Sequence, residues 1–115
     1  MPPTQPLHVQ NMWYDKIESG QKRWEGRLND GSVKHIEVDD VIEFSSEDRH
    51  PLKLKVISIL HYPNFEKMLE GDGLPRMLPG IGSLQEGLEI YRGFPGYREG
   101  ERVFGAVIFE LGGLS

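Results

Sequence analysis

Gly20-Gln21-Lys22-Arg23-Trp24-Glu25-Gly26-Arg27 is the stretch whose residue types and spacing could do chemistry. Lys22 and Arg27 offer charged donors suited to a phosphate, a carboxylate or the polar edge of a base. Glu25 can orient either cation or accept from an amino group. On a solvated strand the same residues would form an Arg–Glu pair worth little. Strict alternation sets Glu25 and Arg27 on one face and Lys22 on the other. The three converge only if Lys22 still belongs to the turn after Gly20.

Aromatic residues come second. Trp13, Tyr14, Tyr62, Tyr91, Phe94 and Tyr97 fall at the ends of the expected elements, where loops gather around a cleft. Such rings hold unpaired bases by stacking, although each could equally anchor a loop or fill a core. Arg92 and Arg98 set cations beside Tyr91 and Tyr97. His8, His35, His50 and His61 show no metal-ligand spacing, and the chain has no Cys. Disulfides and thiolate chemistry are therefore excluded, and neither a metal nor a cofactor is expected. No serine-nucleophile or phosphate-loop motif is present.

The elements that must position these groups follow from periodicity. Pro6 to Gln10 reads as a short strand. Asn11 to Gly20 reads as a helix capped by Asn11 and closed by Gly20. Strands are expected over Gln21–Asn29, Val41–Phe44 and Leu52–Leu60, with Val33–Val38 a short charged connection. On the longest of these, Leu52, Leu54, Val56, Ser58 and Leu60 share one face. Helices follow at Pro63–Glu70, capped by Asn64, and at Ser83–Tyr91, opened by a Ser83/Glu86 capping box. One further helical turn is expected at Leu74–Leu78. Gly93 to Gly100 reads as loop, Arg102–Leu111 as a central strand, and Gly112-Gly113 as a loose tail. The expected order is β-α-β-β-β-α-α-β. So many closely spaced strands rule out a doubly wound parallel sheet and favour a small mixed β-barrel flanked by short helices, an α+β fold.

The 115 residues suit one domain over 1–115. A formal charge of −5, from 13 basic and 18 acidic residues, argues against indiscriminate binding to a phosphate backbone. It leaves room for a local basic pocket. No apolar run approaches the roughly 20 residues of a membrane span. No apolar leader follows Met1-Pro2-Pro3, and the expected location is cytoplasmic.

The chain resembles the ASCH domain (activating signal cointegrator-1 homology) of the PUA-like superfamily. Gly20, Lys22, Glu25 and Arg27 match its G-x-K-x-x-E-x-R motif. Val38-Asp39-Asp40-Val41-Ile42-Glu43-Phe44 stands where the family has a G-D-x-I-x-F strand, with Asp39 in place of the Gly. The order continues through Tyr62, Phe65, Leu78-Pro79-Gly80, Tyr91-Arg92-x-Phe94 and a Gly-Ala-Val-Ile strand, so the resemblance covers about residues 7–111.

The resemblance implies a barrel with a motif-lined cleft for RNA or another nucleic acid. Lys22, Glu25, Arg27, Tyr62, Tyr91 and Arg92 would bind RNA or a modified nucleoside, and Lys22→Ala or Arg27→Ala would weaken binding without unfolding. Some small members are amidohydrolases acting on N4-acetylcytidine. In these a Lys works with a Thr three residues later and a distal Glu. Lys22 matches the Lys and Glu25 occupies the Thr position, while the distal carboxylate could be Glu66 or Glu86. In a hydrolase, Lys22 would be base or nucleophile and Glu25 the proton shuttle.

Overall fold

The computed structural model describes residues 3–71 and 73–114. Its strands are β1 (Thr4–His8), β2 (Trp24–Leu28), β3 (Val41–Ser45), β4 (Leu52–Tyr62) and β5 (Ala106–Gly112). They form one sheet in the order β1-β3-β4-β5-β2. β1 lies parallel to β3, and every other pair is antiparallel. The sheet curls into a half-barrel, which brings its two outer strands, β1 and β2, towards one another. The Arg27 guanidinium of β2 reaches across and donates to the His8 carbonyl of β1 at 2.8 Å. The result is an α+β fold of the PUA-like kind.

Helix α1 (Asn11–Ser19) follows β1. α2 (Phe65–Leu69), α3 (Gly73–Met77), α4 (Leu84–Arg92) and α5 (Tyr97–Phe104) all lie between β4 and β5. Asn64 accepts from the Lys67 amide at 2.8 Å, and Ser83 from the Glu86 amide at 3.2 Å, so both expected side-chain caps form. Asn11 does not cap α1. It is the first helical residue, and its side-chain oxygen accepts from the Ser46 hydroxyl instead. The core joins α1 (Ile17), the sheet (Ile42, Phe44, Val56, Ile108) and the helical layer (Phe65, Met77), all wholly buried. No helix among the described residues is long and apolar enough to cross a membrane.

Three segments differ from the sequence reading. Residues 93–100 are not all loop, because α5 starts at Tyr97. Gly100 sits inside that helix because a Cβ there would lie 2.7 Å from Leu28 Cδ2. It is a close-approach glycine and not a breaker. Val103 and Phe104 therefore end α5 as exposed side chains, and the last strand begins at Ala106. On β4 the face pattern breaks at Ile57. Val56 pairs with Leu111 and Ser58 with Glu110, leaving Ile57 as a bulge. The extra residue reverses the alternation, so Ile59 joins Val56 on one face and Ile57 is 51% exposed. Asp39 has φ 77, a left-handed conformation that Asp tolerates better than most residues.

Candidate functional site

The site begins at the end of α1. Gly20, at φ 89, closes the helix with its amide on the Ile17 carbonyl at 3.2 Å. The chain then needs three more residues before β2 starts at Trp24. Lys22 thus lies in the turn and not on the strand. This removes the alternation conflict and lets its side chain swing to the same place as those of Glu25 and Arg27.

Lys22 is 2% exposed. Its ammonium donates to the carbonyls of Trp24 and Met77, each at 2.5 Å, and lies 3.3 Å from Glu25 Oε1. Glu25 Oε2 accepts from Arg27 Nε at 2.7 Å. The result is a buried Lys–Glu–Arg chain carrying two positive charges and one negative.

Burial pulls the Lys22 pKa down from 10.5, and the Glu25 carboxylate opposes that pull. All three neighbours of its nitrogen are acceptors, so a neutral amine would aim its lone pair at an oxygen. The ammonium is the form this geometry stabilises. Burial pushes Glu25 upward, but Lys22 and Arg27 outweigh it and hold the carboxyl below 4.5. Glu101 is held low in the same sense: burial raises it, and Arg92, the Phe65 amide and Arg98 together outweigh that. A carboxyl with a depressed folded pKa contributes stability that is present above its unfolded value and is lost as pH falls. The thermal midpoint is therefore expected to drop as pH falls below about 4.5, and Glu25→Gln to flatten that limb. A midpoint independent of pH down to about 3 would count against the pairing.

Above the charged floor lies a cavity of about 410 Å³. Val9 and Trp13 form one wall. Tyr91 from α4, Phe94 from the following loop and Tyr97 from α5 form the other. Phe65 sits behind this second wall, stacked between Tyr91 (5.1 Å, 9°) and Tyr97 (5.6 Å, 4°). Phe94 meets both tyrosines edge-on. The rings are thereby fixed before any ligand arrives.

Of the residues picked from sequence, Lys22, Glu25, Arg27 and Tyr91 meet at this cavity. Tyr62 and Arg92 are not among its lining residues. Tyr62 ends β4 opposite Ala106. Arg92 clamps Glu101 with two hydrogen bonds, at 3.0 and 3.2 Å. Glu101 also accepts from the Phe65 amide at 2.8 Å, tying α2, α4 and α5 together behind the aromatic wall. Sequence reading passed over Glu101, since nothing local relates it to a partner nine residues earlier. Neither Glu66 nor Glu86 lines the cavity, so Glu25 is the sole carboxylate there among the described residues. No group of side chains able to hold a metal ion occurs among those residues.

The ASCH domain family is matched over residues 7–112. Two solved structures share the fold along nearly the whole chain. The hypothetical protein PH0355 aligns with a TM-score of 0.84 at 35% identity, covering 94% of this chain and 96% of its own. Protein PF0455 from Pyrococcus furiosus aligns with a TM-score of 0.79 at 35% identity, covering 97% and 98%. No curated protein matches the chain.

Proposed function

The chain belongs to the ASCH domain family, and we propose that its cavity binds one unpaired nucleobase with its sugar, as a free modified nucleoside or as a base splayed from RNA. The observation that carries this reading is the ionised Glu25–Arg27 pair in a cavity lined by the rings of Trp13, Tyr91, Phe94 and Tyr97. A carboxylate and a guanidinium side by side accept from an amino or imino group and donate to a carbonyl or ring nitrogen. A volume of about 410 Å³ is too small for a helical segment and suits one nucleoside. The net charge of −5 points the same way, towards a small shape-selected ligand.

Lys22 supports binding from below. Its three donors are spent on Trp24, Met77 and Glu25, so its role is to hold Glu25 ionised and in place. Hydrolysis of an N4-acylated cytidine is favoured by one observation, the downward pull of burial on Lys22. It is opposed by the acceptor-only surroundings of that nitrogen and by the lack of a second carboxylate among the described residues of the cavity.

The test is calorimetric titration with cytidine, N4-acetylcytidine, uridine, guanosine and short single-stranded RNAs, with release of acetate from N4-acetylcytidine assayed in parallel. At least one nucleoside is expected to bind and to raise the thermal midpoint by mass action. Salt dependence should be shallow, because the cavity holds few cations. Acetate release is expected to be absent. Binding to none of these probes would overturn the reading.

A further inference from the structure

The register of β2 against β5 determines which peptide groups face the cavity. At one end of the pair the Arg23 carbonyl accepts from the Leu111 amide at 2.7 Å. At the other, the Asn29 amide donates to the Gly105 carbonyl at 3.0 Å. Bonded positions alternate along an antiparallel ladder. Glu25 and Arg27, opposite Phe109 and Val107, therefore point their peptide groups at β5. Trp24, Gly26 and Leu28 point theirs the other way, along the open side of the sheet, because β2 is its last strand.

At two of these three open positions one peptide group is covered. The Trp24 carbonyl accepts from Lys22, and the Leu28 backbone is approached by the Tyr97 hydroxyl. Gly26 lies between them, is buried and lines the cavity. Among the described residues, neither its N–H nor its C=O has a partner. Unpaired peptide groups on a buried residue are rare, since each leaves a lost hydrogen bond uncompensated. A second orphan lies beside it. Tyr91 is 3% exposed, yet its hydroxyl bonds to no described residue. A Cβ on Gly26 would come within 2.8 Å of that oxygen. No sealed side-chain nitrogen or oxygen is left unpaired among the described residues, so the hydroxyl opens onto the cavity.

We infer that the Gly26 peptide and the Tyr91 hydroxyl form a recognition edge, which pairs with a planar heterocycle presenting a hydrogen-bond donor next to an acceptor. This inference rests on the nucleobase reading and names the part of the base that is read. A peptide N–H and C=O pointing the same way ask for one acceptor and one donor side by side, as on an amide- or amidine-type ring edge. A partner β-strand would make the same bonds, but it needs several open peptides in a row, and here Lys22 and Tyr97 close the edge on either side. One residue of open edge suits a ring and not a strand. Burial and the Glu25 carboxylate keep Tyr91 protonated, so its hydroxyl can donate.

Backbone amide hydrogen exchange, read by NMR, tests the edge with and without ligand. In the free protein the Gly26 amide is expected to exchange at least about a hundredfold faster than those of Glu25 and Arg27, although all three lie on one strand. Saturation with uridine or cytidine should slow Gly26 about tenfold or more. N3-methyluridine and N4,N4-dimethylcytidine, which lack the donor, should bind about tenfold or more weakly than their parents. Tyr91→Phe should weaken parent binding to a similar degree while leaving the thermal midpoint of the free protein unchanged or higher, because an unpaired hydroxyl is removed. A Gly26 amide already as protected as its neighbours overturns the inference. So does a parent nucleoside that binds without slowing it, or a methylated analogue that binds equally well. If none of the nucleosides or short RNAs binds, the nucleobase reading falls and this inference falls with it; if another probe binds and neither parent nucleoside does, this inference alone is overturned.

Discussion

Lys22→Ala is expected to lower the unfolding free energy by about 3–5 kcal/mol, the usual cost of stranding one member of a buried ion pair. The substitution leaves the Glu25 carboxylate with Arg27 alone and orphans the carbonyls of Trp24 and Met77, which the ammonium now caps. In a domain of this size such a loss lowers the thermal midpoint by roughly 12–20 °C. This differs from the expectation that a motif lysine can be removed at the expense of binding alone. Urea denaturation of Lys22→Ala, Glu25→Gln and the double mutant measures it. The double mutant should lose clearly less than the two single losses added together, because each partner is costly chiefly when the other remains. A loss below about 1 kcal/mol in Lys22→Ala would show that the ammonium is not holding the floor together.

Arg27→Ala is expected to reduce nucleoside affinity by tenfold or more, in line with a charge-assisted contact worth about 1.5–3 kcal/mol. Arg27→Lys should rescue little of it. The guanidinium serves Glu25 through Nε and the His8 carbonyl through Nη2, leaving its remaining nitrogen for a ligand. One ammonium cannot span those three directions. Calorimetry on both variants decides the matter, and wild-type affinity in Arg27→Lys would show that charge alone suffices.

The charged floor was visible in the sequence because its parts lie within eight residues, at a helix end followed by a strand. Even the geometric condition was visible, namely that Lys22 had to belong to the turn. The caps at Asn64 and Ser83 were equally legible, since a cap is a local hydrogen bond. What stayed hidden depends on distance. α5 was masked by Gly100, whose reason is the Leu28 side chain packed against it from β2. The β4 bulge has no signature in a run of Leu, Ile and Val, because it is imposed by the register with β5. Arg92 carried the right charge beside the right ring, but Glu101 takes it up from the next helix. Tyr62 sits at a strand end, as a cleft residue would, yet it is not among the residues that line the cavity.

The bridge from Arg27 to His8 has a mechanical consequence. A barrel closed by a row of peptide hydrogen bonds has a fixed circumference, because widening it means breaking several bonds together. Among the described residues the outer strands are linked through one guanidinium, and a side chain can change length by changing rotamer. The gap between β1 and β2 can therefore widen while every ladder in the sheet stays intact. Arg27 both lines the cavity and bridges β1 to β2, so a ligand that drew on its guanidinium would also bear on the link between the two outer strands.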